Sequence, residues 1–478
     1  MIDQPAQPES RPGPDHATIF IWLFALSSLW HYTSSTSEIV WNWFRFDPVG
    51  TPLTALAIVT AFIAAVFPNR TPAVLLFAGA QLLGIAVRFP FVADHRVMEL
   101  LVNGSIIATF LYLAVRRRSM QVSTSEMFAL YAPVGRWLLI VMYFYGTFHK
   151  INPGFMTLES SCAIPFIMGF PLPDALLDHP ATQYAAIYGT LILEALAMVL
   201  LLSARTKYFG MLLGMTFHLI IGISSTGTLA HFSAFALALH ALFLPSTFGQ
   251  QLYADPRVPA ILRSADAMKV ATVAIVGLQL LFAVHLYVTY ESYMVNLLFA
   301  LFASTLMIMV LKHGQIRPAD NPYRLKSPLP GLNAVPILFV LYCASPYVGL
   351  GTGGSLAMFS GLRTEGGVSN HYIIRQPVDL FSYQDEVLYV ESAINPSLLR
   401  AADDNQGIVL WDFQRHFQRF EQLILPLTVV VDGTRYELHD DAAAQRFAAE
   451  YFRPQSWLER KYMSFRLVDD FHPDRCRH

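Results

Sequence analysis

VMYFYGTFHKINPGF, residues 141–155, is the stretch on which the reading of the chain turns. An aromatic, apolar helix runs into His149 and Lys150 and is halted by Asn152, Pro153 and Gly154, residue types that cap or break helices. A histidine and a lysine at the end of an apolar segment are costly to desolvate unless they are paired or put to use. The composition makes that segment a membrane span. Of 478 residues, 54% are hydrophobic and only 14% charged, whereas soluble domains carry about 25% charged residues.

Apolar windows of spanning length, some of them short, occur at 17–33, 52–67, 71–90, 96–115, 130–149, 182–203, 206–223, 230–246, 268–290, 292–312 and 332–350. The expected fold is a polytopic α-helical membrane protein with about eleven transmembrane helices, nine if the short windows are re-entrant or interfacial. Positive charge sets the orientation. With residues 1–16 cytoplasmic, one side holds Arg70, Arg116, Arg117, Arg118, Arg136, Arg205, Lys207, Arg257, Arg263, Lys269, Lys312, Arg317, Arg324 and Lys326, and the other only Arg45, Arg88, Arg96 and Lys150. Fourteen against four is a strong positive-inside bias, spread over every cytoplasmic connection. His31, Asp94, His95, His149, Lys150, His218, His231, His285 and Glu291 then gather at or near the non-cytoplasmic face. Taken singly, interfacial histidines are satisfied by neighbours or water and a span-end lysine snorkels to the headgroups. Their common depth argues for a shared site.

Residues 1–16, rich in Pro and polar groups, read as a disordered cytoplasmic tail. The loop 151–181 is long for a helix connection, with apolar runs too short to span, and is expected either to cover the mouth of the bundle or to tether it at the interface. Residues 351–368 form a Gly-rich irregular connector. From 369 to 478 the runs YIIRQPVDLF, VLYVES, IVLWDF and LTVVVDGTRYEL suggest a small β-rich non-cytoplasmic domain, with Asp432-Gly433 as a hairpin turn and one helix at about 440–452. Three cysteines, Cys162, Cys343 and Cys476, are too few for a disulfide framework or a zinc site, and a Cys162–Cys476 bridge stays open. The net charge of −2, without a basic run, argues against a nucleic-acid partner. No metal and no nucleotide are expected.

Four stretches resemble one family: ADHRVMELLVNGSI at 93–106, VMYFYGTFHKINPGF at 141–155, TFHLIIGISSTGTLAHFSAFALALHALFLP at 216–245 and MFSGLRTEGGVSNHYII at 358–374. They are similar to the vitamin K-dependent gamma-carboxylase family and, more closely, to its bacterial relatives in the horizontally transferred transmembrane domain (HTTM) group. The membrane part of the resemblance covers roughly residues 17–350. It implies that Lys150 is the catalytic base, that His95 assists carboxylation and that His149 stands at a second basic position. It further aligns His218 with a histidine of its span, while Asp94 and Asn152 stand where the family has an asparagine and an acid. The implied activity is of the carbon–carbon lyase type coupled to quinol epoxidation: a neutral lysine takes a proton from vitamin K hydroquinone, dioxygen adds, and the resulting base opens the way to carboxylation. The implied cofactor is a reduced quinone. About 128 residues follow the last window, too few for the family's substrate-docking portion, so a protein substrate is not carried over.

A lysine serves as a base near neutral pH only where its ammonium form is disfavoured, and desolvation at an apolar helix end works in that direction. A carboxylate from Asp94 within about 5 Å would work against it. The resemblance thus implies catalytic roles for Lys150, His95 and His149, and substrate-binding roles for Asp94, Asn152 and His218. Tyr143, Phe144, Tyr145 and Phe148 could line a slot for a lipid-soluble small molecule or pack as ordinary core. The competing expectation is a non-catalytic lipid- or partner-binding, or transport, membrane protein that keeps the bundle and uses Lys150 as a charge.

Overall fold

The computed structural model describes residues 13–34, 50–224, 229–258, 266–289, 293–315, 323–378, 380–419 and 425–468. Residues 1–12 of the tail, Arg45, Arg263, Glu291, Arg317 and Cys476 lie outside that set, as does the side chain of His285. The chain is mostly helical. Among the described residues, five helices are long and apolar enough to cross a membrane: Thr71–Arg88, Asp94–Arg117, Thr124–Phe148, Pro180–Leu201 and Met294–His313. A sixth is reached if the pair Ala230–Phe243 and Phe248–Ala254, bent by 94°, counts as one span. Several of the remaining windows fold as shorter apolar helices, among them Lys207–Ile223 with 17 residues. At 1.5 Å per residue such a helix covers about 26 Å, short of a hydrocarbon core of about 30 Å.

The chain divides into two compact units. The first comprises Met1–Gly84, Glu99–Ile140 and Leu196–Val335. Its centre is helix His16–Ser34, which packs against Gly50–Val66 and Ala230–His240; Lys207–Ile223 packs in turn on Ala230–His240 and Tyr293–His313. Gly222 explains how the last of these approaches so closely, since a Cβ there would lie 2.2 Å from the Phe299 ring. Phe20, Phe24, Trp30, Phe77, Tyr131 and Phe299 fill this interior with aromatic rings at no or almost no exposure.

The second unit comprises Ile85–Met98, Val141–Ala195 and Pro336–His478. Its C-terminal part is built on a four-stranded antiparallel sheet of order β2-β1-β3-β4, with β1 Val387–Ala393, β2 Gly407–Val409, β3 Leu427–Val431 and β4 Thr434–Leu438. Leu427, Val429 and Val431 alternate inward and meet Leu388, Val390 and Phe447. The β3–β4 turn has φ of 49° at Asp432 and 76° at Gly433, the left-handed pair that a two-residue hairpin of matching twist demands. Helix Asp441–Tyr451 follows, and the Asp440 carboxylate caps it by accepting from Ala443 N at 2.8 Å.

Two stretches with strand-like patterns fold otherwise. In YIIRQPVDLF, the His371 ring accepts the backbone N–H groups of Ile373 and Ile374 at 3.2 and 3.1 Å and curls the chain into a turn. In IVLWDF only Ile408 and Val409 pair with β1; Leu410, Phe413 and Phe417 then recur at helical spacing and form one face of helix Leu410–Arg419. With Pro396–Asp403 and Trp457–Tyr462, the C-terminal part mixes helix and sheet rather than being mainly β.

Candidate functional site

Helix Thr124–Phe148 leads into His149 and Lys150, and 72% of its most apolar window is buried, the highest share of the five candidate spans. Its last turn unwinds through bonds from Lys150 N to Thr147 O at 3.1 Å and from Asn152 N to Lys150 O at 2.9 Å. Asn152 then starts the short helix Pro153–Met156. Its Oδ1 accepts from Phe155 N at 3.0 Å, and its Nδ2 donates to His149 O at 2.6 Å and Ser360 O at 2.9 Å. The fully buried amide thus forms the corner, with each end used by backbone. Gly154 belongs to the same corner, because a Cβ there would sit 2.6 Å from Gly361 O.

Lys150 leaves this corner toward Glu194, on helix Pro180–Leu201. Its Nζ donates to Glu194 Oε2 at 2.6 Å, with the two side chains 11% and 9% exposed. The ammonium also lies 5.5 Å from the centre of the Phe155 ring. One turn back along the lysine's own helix, Gly146 makes room for the carboxylate, since a Cβ there would come within 3.3 Å of Glu194 Oε1. The carboxylate bonded to Lys150 is therefore Glu194. Asp94 instead accepts from Met358 N at 3.2 Å and so holds the Gly-rich segment.

His149, adjacent in sequence, is engaged elsewhere. Its Nε2 meets Ser355 O at 3.1 Å and its Nδ1 meets the Tyr347 hydroxyl at 2.8 Å. A carbonyl can only accept, so the proton sits on Nε2 and the tyrosine donates to Nδ1. His371 closes the helix end by donating from Nε2 to Phe148 O at 2.8 Å. Burial pushes its imidazole below the usual histidine range, against the opposing effect of that carbonyl. His95 is fully buried at the start of helix Asp94–Arg117. His218 belongs to the first unit, where its ring stands 5.8 Å from His240 and 5.3 Å from Phe232.

The second unit thus joins Lys150 to Glu194 and, separately, binds His149, Asn152 and Asp94 into the 345–374 segment. No family model, curated protein or solved structure matches this chain.

Glu194 was not anticipated from sequence. A signal was there: a lone carboxylate inside the apolar run LILEALAMVLL is expensive in a span and marks a partner or a function. The aromatic residues split. Tyr143 is buried, whereas Phe144 is 42% exposed and stacks on Phe148 with centroids 5.6 Å apart and planes at 11°. Cys162 is disulfide-bonded and Cys343 is a free, buried thiol.

Proposed function

We propose that the protein is an integral membrane enzyme of the carboxylase type, which takes a proton from a reduced quinone or similar lipid-soluble donor at the non-cytoplasmic face. Lys150 is the proton acceptor and Glu194 its charge partner. The observation that carries this reading is the buried Lys150–Glu194 contact of 2.6 Å at the end of an apolar helix. In a medium of low dielectric such a pair is weak evidence for stability, and a carboxylate against the ammonium opposes a neutral lysine, so the base role requires the Nζ proton to pass to Glu194 first. Transfer of one Nζ proton across the contact gives a neutral amine and a carboxylic acid. The amine can then accept the proton of a hydroquinone hydroxyl, leaving the hydroquinone anion and an ammonium. His149, as a neutral imidazole held by Tyr347 and Ser355, and His95 act as helpers, and Asp94 and Asn152 shape the wall.

Orientation follows the positive-inside count: about eleven spans, a cytoplasmic N-terminus, and the 369–478 domain on the opposite side. A disulfide at Cys162 agrees with an oxidising compartment for that side.

The test is hydroquinone turnover by the purified protein with vitamin K-type hydroquinone. Lys150→Ala should abolish it while circular dichroism and elution volume stay as in wild type, and Lys150→Arg should also be inactive, because a guanidinium does not give up its proton. Full activity of Lys150→Ala would remove Lys150 as the base. The direct carboxylate contact favours one other reading, a non-catalytic lipid- or partner-binding protein in which the pair is structural. That reading predicts no turnover by the wild type and unimpaired folding of Lys150→Arg.

A further inference from the structure

Lys207 opens helix Lys207–Ile223 in the first unit and is fully buried, yet among the described residues its Nζ has no hydrogen-bond partner. It lies 4.7 Å from the centre of the Tyr323 ring, and the Arg136 guanidinium lies 5.7 Å from the same ring. The Tyr323 hydroxyl donates to Leu201 O, which fixes the ring beside both cations. Arg136 is itself buried. It donates from Nε to Leu242 O at 2.9 Å and from Nη1 to Arg324 O at 2.8 Å. His16 adds a third basic group, with Nε2 2.6 Å from Ala241 O.

Part of this cluster has an ordinary explanation. Arg136 and His16 bond to the Leu242 and Ala241 carbonyls just past the C-terminal end of helix Ala230–His240, where the helix dipole favours cations. Lys207 has the reverse situation. It stands at a helix N-terminus, where the dipole disfavours a cation, with Arg136 as a neighbouring like charge. A tyrosine face offsets only part of the cost of burying an ammonium. No carboxylate bonds to Lys207 or Arg136 among the described residues. Among the described residues, this place lacks an anion.

A cavity of about 410 Å³ opens onto Arg136, walled also by His16, Arg324, Asp15, Phe128 and Leu244. Asp15 is already engaged, accepting from Thr18 N at 2.8 Å and from the Ser125 hydroxyl. We propose that Lys207 and Arg136 form a buried anion site that binds a phosphate group, carried either by a phospholipid headgroup or by free phosphate. Phosphate suits the site because it brings more than one acceptor and up to two negative charges to an ammonium and to guanidinium donors not used on carbonyls. A helix N-terminus adds its own preference for such an anion. The proposal is independent of Lys150 and of any catalysis there.

The test uses the full-length, delipidated protein in dodecyl maltoside and phosphate-free buffer, with binding read by native mass spectrometry and by the unfolding temperature. One arm adds inorganic phosphate and the other phosphatidylglycerol. Saturable binding of one probe per chain with a raised unfolding temperature is expected in at least one arm. The phosphate arm alone identifies free phosphate, and the phosphatidylglycerol arm alone identifies a headgroup. Lys207→Met should weaken the binding at least tenfold, and Lys207→Gln provides the same comparison if the methionine variant does not fold. The proposal is overturned if neither probe binds the wild type, or if the Lys207 variants bind as tightly as it does.

Discussion

Lys150 and Lys207 are both buried at the end of an apolar helix, and they differ in what faces the ammonium. Lys150, in the second unit, meets Glu194 at 2.6 Å, whereas Lys207, in the first, meets a tyrosine ring and a neighbouring arginine. The first charge is closed by the chain itself; the second meets no carboxylate among the described residues. Burial of a lysine therefore says little about its role until its counter-charge has been found. That distinction decides which of the two is a candidate for exchanging protons and which for holding a ligand.

The largest effect is expected from breaking the closed pair. Glu194→Leu leaves an uncompensated ammonium in the interior and should cost on the order of 3–5 kcal/mol, read from the unfolding midpoint in detergent. Combining it with Lys150→Met should recover most of the loss, since an apolar pair of similar volume is often as stable as the ion pair it replaces. A Glu194→Leu variant as stable as the wild type would show that the two charges are not coupled.

Asp412 lies between the two lysines in its degree of compensation. It is buried in the C-terminal part, with Arg415 Nη1 at 3.5 Å and a bond from Phe465 N at 2.5 Å. Burial raises its carboxyl from 3.8 to about 6, against the opposing effects of Arg415 and the Phe465 amide. The folded state therefore binds this proton more tightly than the unfolded chain. The resulting stability is fully present below about pH 4 and is lost as the pH rises through about 6, a difference on the order of 3 kcal/mol. Hydrogen-exchange protection of the β1 and β3 amides, corrected for intrinsic rates, should fall over that window in the wild type and stay flat in Asp412→Asn. An unchanged slope in the variant would assign the pH dependence to another group.

For the open charge the sign reverses. Without an anion, Lys207→Met should leave the protein as stable as the wild type or about 1 kcal/mol more stable, because it removes a desolvated cation without stranding a partner. A loss comparable to that of Glu194→Leu would mean that Lys207 is closed after all.

The membrane class, the central helix ending at Lys150, the Asp432-Gly433 hairpin and the helix after Asp440 were all legible, because composition, period and turn chemistry are local properties. The site was less so. Asp94 stood out as the carboxylate able to reach Lys150 because it lies beside His95 in a polar stretch, while Glu194 is 44 residues from Lys150 and hidden in an apolar span. Such pairing depends on how two helices are rotated against each other, which neither sequence displays alone. Helix Leu410–Arg419 is hidden for a related reason: Ile408 and Val409 begin a β pattern, and the change of period comes within one run.

A smaller effect, at Gly146, can change sign. Gly146 is inside helix Thr124–Phe148, where alanine is favoured over glycine by about 1 kcal/mol. Its added Cβ would, however, lie 3.3 Å from Glu194 Oε1, so the carboxylate bonded to Lys150 would have to shift by a few tenths of an ångström. If the Lys150 contact holds Glu194 in place, that crowding should outweigh the helical preference, and Gly146→Ala should be slightly destabilising. In the Glu194→Leu, Lys150→Met background no ion pair remains to resist displacement, and the same change should turn neutral or stabilising. Equal effects of Gly146→Ala in the two backgrounds would show that the glycine is tuned to packing alone and not to the charge that closes Lys150.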